Sequence, residues 1–316
     1  MKAYGPDGGA QSPRVAGVTT FLRLPHVTQF AEVDVAVMGL PFETGLAART
    51  GARFGPRAVR EASLSIHPAY NPAQRVAVFE RLSVVDAGDA HVVAGFTDRS
   101  LAGMQEALAP VHHAEAMPLC LGGDHTVMLA ELRAAAAVHG PLALLYFAAH
   151  TDCLDHEGGE RHLHSTVVRR AAEEGLLDPG RSVLLGMRGG LDTPDEYERA
   201  RELGLTVVPW DDLAQLGTGV IAAAVEAVGE AKAFVSVDAD FVDPAFAPAV
   251  GTPEVGGPSS AQALALIRAC RGLDLAGADV VEVVPELDSS HLTGTVAATI
   301  AYELLSLMAC AGGTCS

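Results

Sequence analysis

Three short stretches of this chain carry side chains that can do chemistry together. "FVSVDADFVDP" holds Asp238, Asp240 and Asp243, "LLYFAAHTD" holds His150 and Asp152, and "LCLGGDHT" holds Asp124 and His125. At the end of a strand, side chains two residues apart leave the same face, so a D-x-D or H-x-D pair aims at one place. Singly, each motif fits a bland role: a turn and helix cap for GGDH, a polar loop for D-x-D. Seven such groups gathered after buried strands are costly, because burial and mutual repulsion both oppose their charge. A cation offsets both. The mixed imidazole and carboxylate set suits a borderline-hard divalent ion such as Mn, with Zn, Fe, Co or Ni as other candidates.

The elements that must position these groups are legible as short apolar runs. They lie at 33–40, 82–88, 117–123, 142–148, 182–187, 205–210, 233–240 and 278–285. Several are continuous rather than alternating, the pattern of strands buried on both faces. Between them fall helical patterns such as "VMLAELRAAAAVHG" and "SAQALALIRACRG", many opening near Ser, Thr or Asp and closing at Gly. Strand and helix alternation over nearly the whole chain predicts an α/β protein, three layers deep, with a mostly parallel sheet between helices. Residues 1–30, rich in Gly, Pro and polar residues, read as an extended arm, and residues 31–316 as a single domain. In such sheets ligands bind beyond the carboxyl ends of the strands, where the three motifs fall.

Bulk properties narrow the partners. The 316 residues carry 39 acids against 21 bases, a formal charge of −18. Nucleic acid and anionic membrane are therefore poor partners for the chain. Five cysteines at irregular spacing read as reduced thiols. With no basic and apolar leader at the N-terminus and no apolar run of spanning length, the expected location is cytoplasmic.

Taken in order, "GGDHT", "AHTD", "LHSTVVRRAAEEGLLDP", "SVDADFVDPAFAP" and "DVVEVVPELD", with "GLPFETGLAARTGARFGPRAVREAS" upstream, resemble the ureohydrolase family. The likeness spans roughly residues 18–310. "TTFLRLPH" is most similar to the agmatinase, guanidinobutyrase and proclavaminate amidinohydrolase branch. The resemblance implies an eight-stranded, arginase-like sheet and two Mn2+ ions that hydrolyse a guanidino group to urea and an amine. By carry-over, one ion is held by His125, Asp152 and Asp238, the other by His150, Asp238 and Asp240. It implies that Asp152 also orients the attacking water and accepts its proton. His164 shuttles a proton to the leaving amine, a task suited to imidazole. Glu282 pairs with the planar guanidinium. Arg161 and His162 lie in the loop where substrates are discriminated. There an arginine suits a substrate carboxylate, and a solvated loop role fits it equally. A homotrimer or homohexamer is also implied.

The chain departs from that pattern. The family carries a second bridging Asp where this chain has Ala148, and Glu43, Thr50, Ala249, Val250 and Val284 also differ from the usual residues. Losing a bridging carboxylate removes a ligand from both ions at once. Asp155, His156 and Cys153 lie near enough in sequence to substitute, though loop roles fit them better. Two readings follow: a metal-dependent amidinohydrolase, or a catalytically impaired homologue that binds a guanidino ligand or serves as a partner subunit. A deacetylase on a related fold fits the GGDH and SVDADFVDP motifs less well.

Overall fold

The protein is described from a computed structural model covering residues 2–6, 16–45, 48–191 and 193–311. Each apolar run becomes a strand: β1 (Val35–Leu40), β2 (Val84–Asp89), β3 (Met117–Gly122), β4 (Ala143–Phe147), β5 (Val183–Met187), β6 (Thr206–Pro209), β7 (Lys232–Asp238) and β8 (Asp274–Val281). Every pairing among them is parallel, so the expected mostly parallel sheet is wholly so in this region. The helices are α1 (Gly55–Ser63), α2 (Val78–Arg81), α3 (Thr97–His113), α4 (Met128–His139), α5 (Val167–Glu173), α6 (Glu196–Glu202), α7 (Trp210–Leu216), α8 (Thr218–Val228), α9 (Ser260–Arg268) and α10 (Leu292–Met308).

Alternation along the strands divides the core in two. In β4, Ala143, Leu145 and Phe147 face the layer that includes Val59, Leu213, Ile221, Ile267 and Leu305. Leu144, Tyr146 and the following Ala148 face the opposite layer, with Leu108, Leu132, Val168 and Ala200. Burial on both faces is what the continuous apolar runs require. The helix signals hold locally too. At α9, Ser259 and Gln262 form a reciprocal capping box.

The strand order is β2-β1-β3-β8-β7-β4-β5-β6. Strands β7 and β8, late in the chain, insert between β3 and β4. The four strands whose ends carry the candidate ligands are therefore consecutive neighbours, and the topological break between β3 and β4 opens the crevice that such sheets use for ligands. The paired glycines of "LGGDH" allow a close approach here: a Cβ on Gly123 would collide with the Phe42 carbonyl.

The N-terminal segment, read as an extended arm, packs in part against the domain. Phe21, Leu22 and Leu24 are buried, the Phe21 amide donates to Asp86 and the Leu22 amide to Ser63. Residues 7–15 of that segment lie outside the described residues. Cys120, Cys153 and Cys270 are buried free thiols, whereas Cys310 is disulfide-bonded, against the expectation of reduced thiols. Among the described residues, no helix is long and apolar enough to cross a membrane.

Candidate metal centre

His125 opens the turn after β3 and is fully buried. Its Nε2 lies 2.7 Å from Ser236 Oγ, and Ser236 donates onward to Asp279 Oδ1 at 2.7 Å. Because the serine's proton goes to Asp279, its oxygen accepts from His125 Nε2–H. That fixes the tautomer and leaves Nδ1 as a bare lone pair, the arrangement that outer groups impose on metal-binding histidines. Burial holds the imidazole down at about 3 against the opposing pull of Asp240, with His164 adding to the lowering, so it is neutral.

The bare Nδ1 faces Asp238 Oδ2 at 3.0 Å and Asp152 Oδ2 at 3.7 Å. Ligand atoms of these three buried residues all lie within 4.8 Å of one another. Acceptors facing acceptors in a buried space need a positive charge between them. Leaving ionised carboxylates there without one costs several kcal/mol per ion, by order of magnitude. The carboxyl groups respond accordingly. Burial, with Asp240 and Glu282, pushes Asp238 well above the usual range. Burial raises Asp152 to about 6 against the pull of His164 and His150. The donor set and its missing charge fit a divalent cation.

The second expected pair is arranged differently. His150 Nδ1 lies 2.8 Å from Asp240 Oδ2, and Asp240 Oδ1 accepts the Ala149 amide at 2.9 Å. Burial opposes a charge on His150, but Asp240, Asp152 and Glu254 outweigh it and raise the imidazole to about 9. This half is closed by an imidazolium–carboxylate contact. Ala148, fully buried beside it, offers no ligand atom.

Glu282 follows β8. Its amide donates to the Gly123 carbonyl at 2.8 Å, and its Oε1 accepts the His125 amide at 2.8 Å, locking the ends of β3 and β8 together. Burial and the neighbouring Asp124 push its carboxyl well above the usual range. Glu282 and Asp152 both have left-handed backbone, with φ of 66° and 51°. For non-glycine residues such conformations cost about 1–3 kcal/mol each and cluster at functional sites.

A cleft of about 380 Å³ opens onto the centre, lined by His150, Asp152, His164, Glu157, Glu196 and Glu254 among others. His164 begins the turn before α5, and its Nε2 is buried without a hydrogen-bond partner among the described residues. Arg161 and His162 are not brought to this cleft. Arg161 is exposed and pairs with Glu173 at 3.0 Å, His162 pairs with Asp98 at 2.6 Å, and both line a second groove.

Other acids singled out by type prove structural. Asp124 caps the turn after β3, accepting from Thr126 and Thr44, and Asp243 accepts from the amides of Ala245, Gly256 and Gly257. Asp155 pairs with Arg170, and the Cys153 thiol donates to the Thr151 carbonyl, so neither acts as the replacement ligand. Glu43 braces its own loop through the Gly51 amide and Arg53. Several residues of the site went unnoticed in the sequence: Tyr146, Ser236, Asp279, Glu254 and Arg188. The alternation of β4 puts Tyr146 on the same face as Ala148 and is a usable signal. Arg188, 188 and 240 being far apart in sequence, gives none, although its guanidinium donates to the Asp240 and Glu254 carbonyls.

The profile of the arginase family matches residues 33–306. Among curated relatives, the chain is 43% identical to guanidinopropionase of Pseudomonas aeruginosa, covering 96% of each chain. It is 39% identical to guanidinobutyrase of the same organism, again over 96% of each. Among solved structures, proclavaminate amidinohydrolase from Streptomyces clavuligerus superposes with a TM-score of 0.90 at 40% identity, over 94% of this chain and 99% of that one. This chain belongs to the arginase family.

Proposed function

We propose that the chain is a divalent-metal-dependent amidinohydrolase. It cleaves the guanidino C–N bond of a small linear guanidino compound, agmatine-like or a guanidino acid, to urea and an amine. The observation that carries this reading is the set of potential ligand atoms of His125, Asp152 and Asp238 converging in a buried space at the head of an open cleft. The names of relatives at about 40% identity agree with it.

His125, Asp152 and Asp238 hold one ion. His150, Asp238 and Asp240 are the residues for a second. When bound, such an ion lowers the pKa of water enough to provide a nucleophile near neutral pH. Asp152 orients the attacking water and takes its proton. Glu282 Oε1 is occupied by the His125 amide, and its other oxygen makes no hydrogen bond among the described residues, so it is available to the guanidinium. His164, with Nε2 unpartnered beside the cleft, hands a proton to the leaving amine. Manganese, a cytoplasmic location and a homotrimeric or homohexameric assembly complete the reading.

The substrate's tail is where observations pull apart. The relatives are named for guanidino acids. The cleft, however, is lined by Glu157, Glu196 and Glu254, with no Lys or Arg among its described lining residues, which favours an amine-ended tail.

A second reading has its own support. Ala148 supplies no ligand and the His150–Asp240 contact supplies its own positive charge. Both favour an impaired homologue that binds a guanidino ligand or partners an active subunit. The deciding experiment is urea release, with Mn2+ supplied, over guanidinopropionate, guanidinobutyrate, agmatine and arginine. Release from any of them supports the enzyme. Silence across the panel, with the ligands still binding, favours the second reading.

A further inference from the structure

Tyr146 is fully buried on β4, and its ring stacks on His125 with centroids 4.7 Å apart and planes 21° from parallel. Its hydroxyl lies 3.0 Å from His125 Nδ1 and makes a shorter contact with Asp152 Oδ2. Four potential donor atoms therefore gather in one buried space: Tyr146 Oη, His125 Nδ1, Asp152 Oδ2 and Asp238 Oδ2, with Nδ1 3.0 Å from the Asp238 oxygen and 3.7 Å from the Asp152 oxygen. The separations suit a shared ion, since donors around a first-row divalent metal at about 2.0–2.2 Å sit roughly 3 Å from each other. Next on the same face, Ala148 has no donor atom, so the tyrosine oxygen is what that face of β4 offers.

We propose that Tyr146 is an oxygen ligand of the divalent ion held by His125, Asp152 and Asp238, completing a set of one nitrogen and three oxygens. The proposal rests on the metal-dependent reading above. As the ion enters, the phenolic proton leaves to solvent and the metal takes its place beside Asp152. No electrons are transferred. Phenolate is a hard donor carrying one charge, so the set suits manganese or iron better than a soft-ligand metal.

The test uses the full chain and Tyr146→Phe, which keeps the stacked ring and removes only the oxygen. Mn2+ affinity is measured by titration calorimetry and is expected to fall about tenfold or more in the variant. Ferric iron then serves as a spectroscopic probe. The unaltered chain is expected to show a visible phenolate-to-iron charge-transfer band with tyrosinate modes in its resonance Raman spectrum, and the variant to lack both. An Mn2+ affinity that is measurable and unchanged in the variant, or no such band from the unaltered chain with ferric iron bound, overturns the ligand assignment. Weakened affinity without the band means the hydroxyl only donates to Asp152, which also overturns it. If the variant fails to fold, the band and Raman modes of the unaltered chain decide alone. A chain that binds neither ion defeats the metal reading itself, a result distinct from equal binding by chain and variant.

Discussion

The two halves of the centre use the same residue types and reach opposite electrostatic states. Around His125, the Ser236–Asp279 pair engages Nε2, and Nδ1 is left facing Asp238 and Asp152. Around His150, no such clamp exists among the described residues: Nδ1 faces Asp240 and Nε2 faces Glu254 at 3.8 Å. The first half lacks a positive charge and the second carries one. An imidazole beside a carboxylate is therefore not in itself a metal site. What lies behind the ring, one contact further out, decides whether the pair asks for a cation or makes its own.

The largest effect expected is from Asp238→Asn, which removes the carboxylate that both halves approach. Metal affinity should drop beyond the roughly 10–100-fold typical of outer-group losses, and urea release should vanish. Calorimetry with Mn2+ and a urea assay check this, and retained tight binding would break the comparison at its centre. Next is Ala148→Asp. A new carboxylate beside the second half should draw in an ion against the His150 charge, raising metal content from one ion per chain to two and increasing urea release. Metal analysis of purified protein gives the count. If the unaltered chain already holds two, the halves are alike and the contrast is lost.

Ser236→Ala separates them more finely. Freed from its clamp, His125 can carry its proton on either nitrogen, and Mn2+ binding should weaken about 10–100-fold while the His150–Asp240 contact stays intact. The smallest effect on the centre belongs to His112, a buried imidazole outside both halves with no hydrogen-bond partner on either nitrogen among the described residues. Burial, then His139 and His113, lower it to about 4. A histidine whose folded value lies below its unfolded value of about 6.5 gives stability that is complete above that value and is lost as pH falls toward 4. Acid should thus cost the metal-free chain about 1–3 kcal/mol between those limits, and His112→Phe should lessen the loss without altering Mn2+ affinity. Urea unfolding at pH 7 and 4.5 measures it.

Much of this was legible in the chain. All eight strands stand where apolar runs lie, and several of those runs are continuous because burial on both faces of a parallel sheet leaves no room for polar alternation. His125, His150, Asp152, Asp238 and Asp240 are at strand ends, where i, i+2 spacing sets direction locally. Local spacing does not report proton positions or which acids find amides. Asp124 and Asp243 have the same chemistry as Asp238, yet both are consumed by backbone amides. Arg161, placed in a loop by sequence, found Glu173 instead of the cleft.

By itself, then, the sequence determined the strands, their carboxyl ends and the ligand types gathered there, since these follow from short-range periodicity and burial. The tertiary structure decided which of those groups converge. Insertion of β7 and β8 between β3 and β4 brings His125 within 3.0 Å of Asp238, 113 residues away. It also sets Ser236 behind the imidazole and the Tyr146 hydroxyl in front of it. Tautomer, charge and ligand number depend on contacts across strands that are distant along the chain, and no local pattern encodes those.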